Sequence, residues 1–147
     1  MVIVKADAYG HGAVAVSRAL ENGIVDAYGV AIIEEAIELR NAGITKPILI
    51  LGYTPKEQFN LVVSYDVMQT VYQYDMAKDL ANEAIMQGKT AKIHIKIDTG
   101  MSRLGFSDST WSVQTIKEIA SLEGIYIDGL FSHFAKADDA DKDSAKD

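Results

Sequence analysis

The chain has 147 residues, a net charge of −7 and 48% hydrophobic content, enough for a sizeable core and too apolar for a disordered chain. No basic stripe or basic–aromatic interleaving is present, which argues against a nucleic-acid partner, and no apolar run reaches the length of a membrane span or secretory leader. Cysteine is absent, so disulfides and thiolate metal sites are excluded, and a cytoplasmic, reducing setting is the expectation.

Residues 2–5 read as a first strand that ends on Lys5. A lysine closing a buried strand is costly unless its amine is neutralised or used. The following loop carries Gly10 and Gly12 and leads into helix-forming residues from Ala13. Such a turn presents backbone N–H groups to an anion such as phosphate. An amine nucleophile beside a phosphate cradle is what a pyridoxal phosphate Schiff base needs.

Helical periodicity follows at Val16, Ala19, Leu20 and Gly23, then a second strand at 28–32. The next helix turns Ile32, Ala36 and Leu39 inward and places Glu34, Glu35 and Glu38 mostly toward solvent. Pro47 and Pro55 bracket a third strand at 48–53, with Pro55 in the first turn of the helix beyond it. A fourth strand at 67–72 precedes a helix N-capped by Asp75, striped by Ala77, Leu80, Ala81 and Ala84, and ended by Gly88. The fifth and sixth strands fall at 91–98 and 125–134. This alternation predicts parallel βαβ units. A closed eight-unit barrel takes about 250 residues, so the pattern fits either an incomplete barrel or an open doubly wound sheet.

The fifth strand alternates Ile93, Ile95 and Ile97 with His94, Lys96 and Asp98. Period two puts the isoleucines on one face and the polar residues on the other. In a barrel the isoleucines meet the outer helices and Lys96 points into the lumen, where it needs a negative partner. A Lys96–Asp98 or other lumenal salt bridge is the simplest one. Asp98-Thr99-Gly100 also matches the triplet of aspartic proteases, but those are all-β, unlike this alternating chain. The histidines and late aspartates lack metal-ligand spacing, so no metal is expected.

Three stretches resemble bacterial alanine racemases in the same order: Val4-Lys5-Ala6-Asp7-Ala8-Tyr9-Gly10-His11-Gly12, Lys96-Ile97-Asp98-Thr99-Gly100-Met101-Ser102-Arg103-Leu104-Gly105-Phe106, and Ser132-His133-Phe134-Ala135-Lys136-Ala137-Asp138. The resemblance implies a partial (β/α)8 TIM-type barrel. Residues 1–147 would form an incomplete cofactor-binding domain with about the first six strands, lacking the last two units and the C-terminal β domain, and residues 138–147 would fray. It implies pyridoxal 5'-phosphate as cofactor and interconversion of L- and D-alanine.

By that resemblance Lys5 forms the internal aldimine and then serves as the base facing the α-hydrogen of the D-enantiomer. Tyr9 takes the cofactor phosphate, and Leu51 lines the cofactor site. Lys96 matches a lysine that is often carbamylated and orients Arg103, whose guanidinium approaches the cofactor's phenolic oxygen and the substrate carboxylate. His133 supports an arginine bonded to the pyridine nitrogen, which would lie beyond residue 147. The implied partners are a small amino-acid substrate and a second copy of the full-length protein, whose second domain supplies a tyrosine as the opposite base. The 147 residues alone are expected to turn over little and bind cofactor weakly. Two alternatives stand beside this reading: a racemase for serine or another amino acid, and a non-catalytic pyridoxal phosphate-binding barrel.

Overall fold

A computed structural model describes residues 1–135. The end expected to fray, 138–147, lies outside the described residues, as does the last part of the third motif. Six strands form a single parallel sheet in the order β1 to β6: Val2–Ile3, Tyr28–Val30, Ile48–Ile50, Met68–Val71, Ala91–Lys96 and Ile125–Phe131. Among the described residues each strand pairs only with its sequence neighbours, which leaves β1 and β6 as the edges of the sheet. That is the partial barrel expected.

Helices connect successive strands: α2 (Ala13–Leu20), α3 (Ile33–Asn41), α4 (Phe59–Ser64) after a short 3-10 turn at Lys56–Gln58, α5 (Tyr74–Met86) and α6 (Thr110–Ala120). The strands β2, β3 and β4 are buried at every position, and all but Gln69 and Thr70 of β4 are the apolar or small residues that strands covered on both faces require. The core between sheet and helices holds Tyr28, Val30, Ile33, Leu39, Ile48, Ile50, Leu80, Ile93, Ile95 and Ile119. On β5 the expected alternation holds, with Ile93 and Ile95 packed in this core.

The helix boundaries differ from the expectations in three places. The helix α2 ends at Leu20 and buries Ala13 and Ser17, so Ala19 and Gly23 are not part of its inward ridge. In α3 the buried ridge is Ile33, Ala36 and Leu39, while Ile32 is the extended N-cap and lies 45% exposed. Gln73 rather than Asp75 caps α5, leaving Asp75 in the first turn, where its charge still favours the helix dipole. The α5 stripe of Ala77, Leu80, Ala81 and Ala84 is buried, and Gly88 ends the helix with φ +63°.

The segment after β1 is the least ordinary part of the fold. Lys5–Gly10 (α1) is helical, but Ala6, Asp7, Ala8 and Tyr9 all have φ between +50° and +56°. This is a turn of left-handed helix built from non-glycine residues, a conformation that costs about 1–2 kcal/mol per residue. A local hydrogen-bond set holds it. The Ala8 N–H donates to the Val4 carbonyl, His11 to Ala8, and Gly12 to Asp7, at 2.9, 3.2 and 2.9 Å. The His11 Nδ1 adds a bond to the Ala8 carbonyl at 2.9 Å, and the Asp7 carboxylate accepts the Ala13 N–H at 2.6 Å. Ala8 is buried, so the turn is also anchored by packing.

Candidate active site

A cavity of about 450 Å³ opens at the C-terminal ends of the strands, within the range of small-molecule sites. Lys5, Tyr9, Leu51, Lys96, Arg103 and His133 all line it. The six residues given cofactor or substrate roles by the resemblance therefore reach one space. Lys5 lies just past β1, Leu51 follows β3, Lys96 closes β5, and His133 lies just past β6. In parallel α/β barrels this rim carries the chemistry.

Lys5 is half-buried at the start of the left-handed turn, and among the described residues no carboxylate lies within ion-pair distance of its amine. The turn also carries Tyr9, 63% exposed, to the same cavity. One expectation about this loop fails. Its N–H groups do not form an open phosphate cradle, because those of Ala6, Ala8, His11, Gly12 and Ala13 are already bonded within the protein. The Asp7 carboxylate occupies the start of α2, where an anion would otherwise sit.

Lys96 is 5% exposed, the most enclosed cation of the site. No salt bridge to Asp98 forms; the Lys96 Nζ instead donates to the Ile97 carbonyl at 2.8 Å and lies 5.4 Å from the centre of the Phe131 ring. Burial pushes its pKa down and the nearby Arg103 adds to this, while the Asp98 charge opposes both. Beneath the Lys96 amine, His94 faces Asp128 at 3.3 Å and tilts against Phe131.

Arg103 sits on a loop whose base is bonded to its own exit. Phe106 donates to the Lys96 carbonyl at 2.8 Å, and Asp98 donates to the Phe106 carbonyl at 2.9 Å. Phe106 is buried, so the loop's exit is fixed in the core. Asp98 accepts the N–H groups of Gly100 and Ser102, each at 3.0 Å. Arg103 itself is exposed, its guanidinium free of ion pairs among the described residues. His133 is also exposed and has no hydrogen bond within the described residues.

Two residues with no expected role shape this site. Glu35, expected to face solvent, accepts the Ala6 N–H at 2.7 Å and the Ala31 N–H at 2.6 Å. Gln69 is fully buried on β4, accepts from Thr54 and donates to the Gly52 carbonyl, tying down the loop after Leu51. A polar residue inside an otherwise apolar strand is the signal that could have exposed Gln69. Glu35 carried no such mark, since an acid in the first turn of a helix is ordinary.

The donor set fits pyridoxal phosphate: an unpaired primary amine for its aldehyde, and a hydroxyl and a guanidinium for its anionic groups, around a space of small-molecule size. Comparison with known proteins agrees. The family described as alanine racemase, N-terminal domain, matches residues 1–147. An alanine racemase of Caldanaerobacter subterraneus is 48% identical over 147 residues, all of this chain and 38% of the relative. The solved alanine racemase of Clostridium difficile 630 superimposes with a TM-score of 0.95 at 47% identity, covering 97% of this chain and 38% of that one. A histidine racemase of Leuconostoc mesenteroides has the same fold at a TM-score of 0.89 and 26% identity, covering 99% of this chain and 39% of that one. The chain thus spans about 38% of the length of such relatives and belongs to the alanine racemase family, matching its N-terminal domain.

Proposed function

We propose that residues 1–147 serve as the cofactor-binding barrel portion of a pyridoxal phosphate-dependent alanine racemase, which as a whole protein interconverts L- and D-alanine. The observation that carries this reading is the meeting of Lys5, Tyr9, Leu51, Lys96, Arg103 and His133 around one cavity. Lys5 would hold the cofactor through its aldehyde, and Tyr9 through its phosphate. When bound, the cofactor withdraws electrons from the α-carbon of the amino acid joined to it and so acidifies the α-hydrogen.

With the cofactor held there, the Lys5 Nζ would take or return that proton on its own face of the substrate. Arg103 binds the substrate carboxylate with a planar set of donors. Lys96, once carbamylated, faces Arg103 as an anion and fixes its direction. Leu51 would line the cofactor site and keep water from that wall, and His133 would support an arginine bonded to the cofactor's pyridine nitrogen. The opposite proton is moved by a tyrosine of a partner subunit in a homodimer.

Replacing Lys5 with alanine in the whole protein tests this. The expected result is loss of racemisation together with loss of the visible absorbance of bound cofactor; survival of both overturns the assignment. A second reading, racemisation of another amino acid, is favoured by the likeness to a histidine racemase. Rates on alanine, serine and histidine with one preparation decide between them. Cofactor binding without turnover on any amino acid points instead to a non-catalytic carrier.

A further inference from the structure

We propose that Glu35 is a positioning residue for the Lys5 amine, an inference that rests on reading Lys5 as the cofactor lysine. Glu35 lies in the first turn of α3 and does not line the cavity. Its Oε1 accepts the N–H of Ala6 at 2.7 Å, and its Oε2 accepts the N–H of Ala31 at 2.6 Å. Ala6 is the residue immediately after Lys5 and the first of the left-handed turn, with φ +50°. Ala31 immediately follows β2. One carboxylate therefore joins the peptide next to the Lys5 Cα to the end of the neighbouring strand.

The position needs two acceptors, which is why its chemistry is specific. Both partners are N–H donors, and each takes a different oxygen. A glutamine offers one oxygen and would turn its NH2 toward the second N–H. The other acids on the same helix make no such bridge. Glu34 accepts from the Gln58 side chain at 2.8 Å, and Glu38 is exposed. Alanine does not hold a left-handed conformation by itself. Release of the Ala6 N–H lets that peptide rotate toward the right-handed region and swings the Lys5 side chain away from the cavity. Glu35 thus acts through Lys5 and touches no reacting atom.

The test compares the whole wild-type protein with its variants Glu35→Gln, Glu35→Asp and, as a charge control on the same helix, Glu34→Gln. Each is incubated with pyridoxal phosphate and reduced with borohydride. Peptide masses then give labelling at Lys5 relative to the exposed Lys78. Amide exchange at Ala6 and Ala31 is followed in parallel. The expected result is about a tenfold fall in the Lys5-to-Lys78 ratio for Glu35→Gln, the scale of one charge-assisted hydrogen bond, with faster exchange at Ala6 and no change for Glu34→Gln. Glu35→Asp, whose shorter side chain cannot span both amides, is expected to fall likewise and serves if the glutamine variant does not fold. A purely structural role lowers the melting temperature but leaves the ratio in folded protein unchanged, and that result overturns the proposal. Wild-type labelling at other lysines but not at Lys5 overturns the cofactor-lysine reading instead, and exchange at Ala6 then decides the clamp alone.

Discussion

The Asp98 carboxylate accepts the Ser102 N–H at 3.0 Å, and Ser102 is the residue before Arg103. The same oxygen accepts the Gly100 N–H, also at 3.0 Å, so one side chain folds the loop that carries the guanidinium. Ser102 adopts a positive φ of +55°, which this bond helps to hold. The bonds from the Ser102 and Gly100 amides draw the Asp98 carboxyl below its ordinary value of 3.8, against a smaller opposing effect of desolvation. A depressed carboxyl stabilises the fold above its unfolded-state value, and the gain is lost as pH falls through the folded value. Asp98→Asn is expected to be less stable than wild type at neutral pH, with the gap closing in acid. Denaturant unfolding across that range checks it. Binding of small carboxylates at Arg103 should weaken in the same variant at neutral pH.

Gly105 governs the other end of that loop. Its φ is +141°, and a Cβ there would meet the Asp98 backbone nitrogen at 2.4 Å and the Ile97 carbonyl carbon at 2.7 Å. Both neighbours are backbone, so neither can move aside cheaply. Gly105→Ala is expected to cost about 2–3 kcal/mol, combining backbone strain with a displaced bridge between Ile97 and Phe106. A shift of the urea midpoint without a change in slope would measure this. An unchanged midpoint would mean that the loop is looser than its contacts indicate.

Much of this architecture is legible in the residues, and the failures have a common cause. The mostly apolar runs at 28–32, 48–53 and 67–72 carry their own strand signal, because strands buried on both faces are predominantly apolar, Gln69 and Thr70 being the polar exceptions. The Ala77-to-Ala84 stripe likewise marks a helix face. The site's convergence was legible because Lys5, Leu51, Lys96 and His133 each follow or close a predicted strand. Long-range pairing of polar groups was not legible. The Ala6–Glu35 bond spans 29 positions, and no local pattern announces it. The left-handed turn is hidden as well: Ala6, Asp7 and Ala8 are compatible with a right-handed helix, and their hand is set by a combination of local bonds and the distant Glu35 carboxylate that no residue pattern announces.

Lys96 gives the site a dependence on alkaline pH. Its amine is enclosed and held below its ordinary value of 10.5 by burial above all, with Asp98 opposing the shift and Arg103 adding to it. Between the folded and unfolded values the unfolded chain binds more protons, so stability rises with pH in that window; below the folded value the full penalty remains. Lys96→Met keeps most of the length of the side chain and removes its titration. The variant's stability should therefore be flatter than wild type on the alkaline side, measured by unfolding at matched ionic strength. Modification of Lys96 by carbon dioxide would replace the cation with an anion. It would then appear as a bicarbonate-dependent mass gain at this lysine, absent in Lys96→Met.

The buried pair Thr54 and Gln69 fixes the wall on which Leu51 stands. The Thr54 hydroxyl donates to Gln69 Oε1 at 2.7 Å, and Gln69 Nε2 donates to the carbonyls of Gly52 and Thr70 at 3.1 and 2.9 Å. Both residues are essentially inaccessible to water, so a lost partner cannot be replaced by solvent. Thr54→Val matches the shape but strands the Gln69 oxygen, and should destabilise by about 1–3 kcal/mol. Gln69→Leu strands the Thr54 hydroxyl instead and frees the Gly52 carbonyl at the cavity's edge. Combining the two leaves neither side chain of the pair stranded, so the double variant should be more stable than the sum of the single losses predicts. Simple additivity in that cycle would show that the two side chains act independently and that the loop after Leu51 is held by other contacts.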